Sequence, residues 1–225
     1  MLEEAYRALR SGGAVMIYDA SDREGEVDLA FHASLITPGK IALLRSMAGG
    51  LICFSTTDHV RRVLGLPFMN ELLEKYPGLR TLASKRLGYG DPPAFTIWVN
   101  HISSVTGIRD PDRALTAKRL EEIVGMIYSG REEEARKVFH EEFMAPGHLP
   151  ILASRGLRRR KGHTELTVAL AMLAELTPAM VFAEMLVEGG VLSLDKARLL
   201  SREKGIPLTT GREIMEEAFR MGVGL

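Results

Sequence analysis

Apolar residues fall along this chain in short runs and in longer periodic stretches. The short runs, at 14–18, 51–54, 95–99, 149–153 and 179–187, are rich in β-branched and aromatic residues and read as strands. Residues 26–33 read as a further strand and 207–209 as a short one. Apolar positions recurring every three to four residues predict helices over 2–10, 55–64, 70–76, 114–128, 131–143, 164–176, 195–204 and 212–221. Thr37-Pro38 marks one more helix start, with Thr at the N-cap and Pro at the first helical position. That helix runs to Gly49-Gly50. Residues 77–93 carry Gly and Pro with no clear period and read as a long loop. Ala145-Pro146-Gly147-His148 reads as a break before a strand. Strands and helices intermix with no internal repeat, low-complexity tract or hydrophilic linker, which predicts a layered α/β arrangement around one sheet.

Composition narrows the class. A chain of 225 residues suits one large domain, here 1–225. Lys+Arg and Asp+Glu both number 29, and zero net charge argues against a chain that coats nucleic acid. Cys53 is the only cysteine, so a reducing cytoplasm is the expected compartment. The first residues read as an amphipathic helix rather than a signal peptide, and no apolar run approaches the ~18 residues of a membrane span.

The chemistry concentrates in four segments. Residues 19–29 read D-A-S-D-R-E-G-E-V-D-L and follow an apolar strand. If the chain stays extended, Asp22, Glu24, Glu26 and Asp28 share one face. Such a row repels itself unless it is solvated, partly protonated or neutralised by a cation. A solvated loop and a metal site with Arg23 embedded in it both fit. Residues 158–165 read R-R-R-K-G-H-T-E. Thr164 suits an N-cap, and a helix start beside Gly162, Arg160 and Lys161 suits an anion. His163 is a candidate metal ligand or a plain surface residue. His148, beside Gly147 and between Pro146 and Pro150, suits a general acid/base or a surface turn. Glu184 lies in an apolar strand, where a carboxylate needs a partner, a raised pKa or an exposed edge. Thr106-Gly107 with Asp112-Arg113 fits a substrate loop or a turn and cap. Cys53 reads as core.

Taken in order, D-R-E-G-E-V-D-L at 22–29, G-L-I-C at 50–53, A-F-T at 94–96, T-G-I with D-R at 106–113, P-G-H at 146–148, G-H-T-E at 162–165 and Glu184 resemble the 3,4-dihydroxy-2-butanone 4-phosphate synthases. The resemblance covers nearly the whole chain. It implies conversion of D-ribulose 5-phosphate to 3,4-dihydroxy-2-butanone 4-phosphate and formate with Mg²⁺, a lyase step of riboflavin biosynthesis. It implies a three-layer α+β fold with a mixed sheet, and a homodimer with active sites near the interface. By resemblance Glu24 and His163 hold the metal, with room for Mn²⁺. Arg160, Gly162 and Thr164 grip phosphate with Lys161 nearby. Arg23, Asp28 and Thr106 contact substrate, and His148 and Glu184 are the acid/base pair, with Glu26 a further base. Residues 77–93 would fold over the substrate. Two departures stand out: Ala145 occupies a position where many relatives carry Arg, and 114–144 is longer and more helical than in compact members. A rival reading makes 155–161 an RNA-contacting edge; a basic patch contiguous with the acidic cluster would favour the enzyme. A metal-dependent sugar-phosphate isomerase or aldolase is a second rival.

Overall fold

The computed structural model describes residues 2–85, 88 and 90–224. Helix α1 (Leu2–Arg10) leads to strand β1 (Val15–Tyr18), which pairs antiparallel with β2 (Val27–His32). Helix α2 (Pro38–Leu43) is capped by the Thr37 hydroxyl, which accepts from Lys40 N, and passes into a π-helical turn, Leu44–Ala48. Strand β3 (Cys53–Thr57), helices α3 (Asp58–Val63), α4 (Met69–Glu74) and α5 (Arg80–Ala83), and strand β4 (Phe95–His101) follow. Helices α6 (Asp110–Tyr128) and α7 (Glu132–Glu142) precede strand β5 (Phe143–Ser154) and helix α8 (His163–Leu173). Strand β6 (Met180–Glu184), the hairpin of β7 (Leu186–Val187) and β8 (Gly190–Val191), α9 (Leu194–Lys204), β9 (Leu208–Thr210) and α10 (Gly211–Met221) complete the order.

Seven strands form one mixed sheet in the order β4-β5-β3-β6-β2-β1-β9. The pairs β3/β5 and β1/β9 are parallel and the other neighbours antiparallel. Side chains alternate across it as the pleat requires. Met16, Val27, Leu29, Phe31, Phe54 and Val181 join a core shared with α2, α3, α6, α7 and α9. Ile17, Ala30, Cys53 and Phe182 join a second core with α1, α8 and α10. Helices thus cover both faces, and the three-layer α+β expectation holds.

Four expectations need correction. Residues 55–57 extend β3 instead of starting a helix. This strand is central, so Ser55 is buried and its hydroxyl bonds Thr167 Oγ1 at 2.8 Å; Thr57 then caps α3 by accepting from Val60 N. The 145–148 break lies within β5, where Gly147 packs against the β4 backbone. The 77–93 segment holds a short helix, α5, while positions 86, 87 and 89 of that expected loop lie outside the described residues. Finally, Asp19–Glu26 is not extended. It is a hairpin loop with a turn at 21–24 and Gly25 at φ 66°, so strand alternation does not align Asp22 and Glu24 with Asp28.

Candidate active site

What gathers the acidic residues is Asp19, a residue the sequence pattern did not single out. Its buried carboxylate accepts from Glu24 N at 3.1 Å and Glu26 N at 3.0 Å, and from Arg23 Nη1 at 3.2 Å. The hairpin loop therefore folds around one side chain. The only sequence signal was an Asp directly after a strand, where such side chains bond backbone N–H groups. Arg23 in turn pairs with Glu24 at 2.6 Å and Asp91 at 3.2 Å. Asp22 points to solvent.

Asp28 lies opposite Glu184 in the β2/β6 register, on the sheet face covered by α8. It is 1% exposed, and neither carboxylate oxygen has a hydrogen-bond partner among the described residues. His163, the first residue of α8, donates from Nε2 to the Ile17 carbonyl at 3.1 Å. Its Nδ1 then faces Asp28 Oδ2 at 3.5 Å and Glu24 Oε2 at 3.6 Å. Burial raises the Asp28 pKa to about 8 against the pull of His163, with Glu184, Glu26 and Glu24 adding to the rise. Burial opposes the charged imidazole of His163, yet Asp28, Glu24 and Asp19 carry it up to about 9. Burial and Glu24 also raise Glu26. A buried Asp28 carboxylate without hydrogen-bond donors among the described residues, beside Glu24 and an imidazole oriented by a carbonyl, is a donor set that fits a divalent cation. Asp19, Glu24 and His163 each offer a ligand atom within 4.8 Å of the others. The Asp19 oxygens already accept N–H groups, and Glu24 is paired with Arg23 at 2.6 Å.

A cationic end faces this acidic one. Helix α8 starts from Gly162 with no side chain capping its first turn. The helix begins one residue earlier than the Thr164 cap expected from sequence, which puts Thr164 in the first turn. A Cβ on Gly162 would meet Arg160 Nη1 at 2.4 Å and Arg23 Nη2 at 2.6 Å, so glycine lets two guanidiniums close over the helix end. Arg160 bonds the buried Glu165 carboxylate, which also accepts from Arg155 N at 2.9 Å. Arg160 Nε is buried without a partner among the described residues.

Both ends open into one cavity of about 410 Å³, the size of a small-molecule site. Glu24, Asp28, His163, Thr164, Arg160 and Glu184 line it, with Cys53 on its floor. Burial, with Glu184 and Asp28 adding, pushes the Cys53 thiol well up. Glu184 ends β6, a central strand, so an exposed edge does not account for it; its Oε2 accepts from Leu51 N at 2.8 Å. Asp91, Pro92 and Pro93, from the Gly- and Pro-bearing 77–93 segment, supply a wall. Arg23 and the exposed Lys161 line an adjoining groove with Arg158 and Arg159. The basic segment is thus contiguous with the acidic cluster, the arrangement expected of an enzyme rather than of a separate RNA edge.

His148 and Thr106 are not among the residues lining this cavity. His148 is exposed, and its main-chain N donates to Asn100 Oδ1 at 2.8 Å. Thr106 is exposed on a loop held by Asp112, which accepts from the N–H groups of Val105, Thr106 and Gly107 and from Arg109. Arg109, with those N–H groups, keeps Asp112 well below the usual carboxylate range. Of the two readings offered for Thr106-Gly107 with Asp112-Arg113, this is the turn.

Over residues 3–217 the chain matches the family profile described as 3,4-dihydroxy-2-butanone 4-phosphate synthase. A protein of that name from Archaeoglobus fulgidus is 41% identical over 223 residues, covering 95% of this chain and 92% of the relative. Another, from Methanothermobacter thermautotrophicus, is 38% identical over 224 residues, covering 96% and 95%. A crystal structure of a 3,4-dihydroxy-2-butanone 4-phosphate synthase in complex with two magnesium ions superposes with a TM-score of 0.76 at 27% identity, covering 100% of this chain and 99% of that one.

Proposed function

Since this chain belongs to the 3,4-dihydroxy-2-butanone 4-phosphate synthase family, we propose that it converts D-ribulose 5-phosphate to 3,4-dihydroxy-2-butanone 4-phosphate and formate, a divalent-metal-dependent lyase step of riboflavin biosynthesis. The observation that carries this reading is the single cavity with carboxylates at one end and an uncapped, arginine-flanked helix start at the other. A sugar phosphate has the same polarity, hydroxyls at one end and a dianion at the other.

The α8 N-terminus, Arg160, Gly162 and Thr164 bind the phosphate, with Lys161 at the rim. Arg23, Asp28 and Thr106 contact hydroxyls or orient neighbours. Glu24 and His163 would hold Mg²⁺ or Mn²⁺, which when bound polarises carbonyl and hydroxyl oxygens. The reaction needs enolisation, dehydration, a skeletal shift and loss of C4 as formate, and each proton step needs a positioned acid or base. Glu184 takes and returns protons from inside the cavity, and Glu26 is a further base beside Glu24. His148 is the other acid/base group.

Because His148 and Thr106 stand outside the cavity of their own chain, a second copy supplies them in this reading. Exposed Trp98, Ile102, Val105, Ile108 and Met144 lie near those two residues in sequence, and Val105 is 71% exposed. Apolar side chains of that kind suit the core of a symmetric interface. The proposed state is a cytoplasmic homodimer with active sites at its interface.

Formate release from ribulose 5-phosphate, with Mg²⁺ and with excess EDTA, tests the reading on wild type and Glu24→Ala. Metal-dependent formate from wild type, lost in the variant, is expected. No formate from metal-loaded wild type would overturn it in favour of an isomerase or aldolase.

A further inference from the structure

We infer that Gly50 is a positioning residue for the Glu184 carboxylate and that the Leu51 N–H fixes it there; the inference rests on Glu184 acting as an acid/base group in the proposed reaction. Consecutive backbone groups of residues 49–51 run beside the end of β6. Gly49 forms an isolated bridge with Met185. Gly50 N donates to the Glu184 carbonyl at 3.0 Å, and Leu51 N donates to Glu184 Oε2 at 2.8 Å. One dipeptide therefore holds both the main chain and the side chain of this one residue.

The space for this comes from the absent Cβ at position 50. A Cβ there would stand 2.3 Å from Glu184 Oε2, 2.7 Å from its carbonyl oxygen and 2.8 Å from its Cβ. The carboxylate occupies the volume that an alanine methyl would take. Backbone conformation is a separate matter: Gly49 has φ 89°, whereas Gly50 is not among the glycines with positive φ. An L-residue at 50 thus carries no left-handed strain, and its main conflict is with Glu184. A carboxylate displaced by that methyl loses the Leu51 N–H and the direction in which it faces the cavity, and misplacement of about 1 Å is enough to slow a proton transfer a hundredfold.

The test compares wild type, Gly50→Ala, Glu184→Gln and the double variant, with kcat and KM read from formate release at saturating Mg²⁺ and with Mn²⁺ affinity measured separately. Gly50→Ala is expected to lower kcat about ten- to a hundredfold while KM and Mn²⁺ affinity stay within about threefold. The double variant is expected to match Glu184→Gln, because a misplaced glutamate and a missing one are the same defect. A general packing defect would instead move KM and Mn²⁺ affinity, and its loss would multiply with that of Glu184→Gln. Wild-type kcat in Gly50→Ala, or multiplied losses, would overturn the inference. Should Gly50→Ala fail to fold, replacing the Leu51 amide by an ester decides. That change removes the N–H and leaves every side chain in place; a tenfold loss of kcat supports the inference and an unchanged kcat overturns it. No formate from metal-loaded wild type would fell the functional reading and this inference together, whereas an active wild type with an unchanged Gly50→Ala fells this inference alone.

Discussion

His32 closes β2 on the same face as Asp28, buried, with Nε2 2.8 Å from the Thr177 carbonyl and Nδ1 2.7 Å from Ser34 Oγ. Burial lowers its pKa, against the opposing pull of the Thr177 carbonyl and Glu121. The folded value lies below the unfolded one, about 6.5, so the unfolded chain takes up the proton first as pH falls. This contribution to stability is complete above about pH 6.5 and declines below it, by about 1.4 kcal/mol for each pH unit, until the folded value is reached. Urea titrations at pH 7.5 and 5.5 should show wild type losing more stability than His32→Gln. Equal losses would assign the effect to other groups. At this scale the sequence spoke through residue chemistry: Glu24, Asp28, His163 and Glu184 were legible as candidates because a carboxylate or imidazole is costly to bury without a task. Asp19 was not, because most of its partners are backbone N–H groups, which every sequence contains, whereas Asp112 was legible as part of a turn and cap.

Strands β4 and β5 meet where Gly147 has no room for a side chain. A Cβ there would stand 2.0 Å from Val99 C and 2.3 Å from Asn100 N, both backbone atoms. Gly147→Ala must part the two strands, and a loss of about 1–3 kcal/mol is expected. The urea midpoint measures it, and a wild-type midpoint would mean that the strands absorb the methyl. The same variant should depress activity, since Asn100 anchors His148 across that contact. This pairing also explains why the segment reads as a break: Pro and Gly are loop signals unless an edge partner accepts them. Residues 55–57 misled in the opposite sense, because Ser and Thr look like a helix start until a central strand buries them. The β-branched runs at 14–18 and 179–187 and the Thr37-Pro38 cap placed their elements well, since each acts through its own backbone. The 19–29 run kept the period of a strand, but a side chain bonding the backbone folded its first half into a turn.

In the whole molecule, His148 and Thr106 belong to the cavity only if a second copy brings them. Glu24→Ala and His148→Ala chains, each inactive alone, should then regain about a quarter of wild-type activity when refolded together in equal amounts, since half of the random dimers carry one intact site. No recovery would mean that both residues act within one chain. Helix α8 is buried from His163 to Ala171, and its first residues line the cavity. Helix α7 and most of α6 pack on the opposite face of the sheet through Leu120, Ile123, Val124 and Phe139. A substitution deep in that far layer reaches no lining residue, whereas in α8 nearly every position answers to the core and to the reaction at once. Descendants of this sequence can therefore adapt to a hotter or colder habitat by rewriting α7 and the far end of α6, beyond the turn that Asp112 holds, while α8 has less room to change and is where an ancient relationship would stay readable.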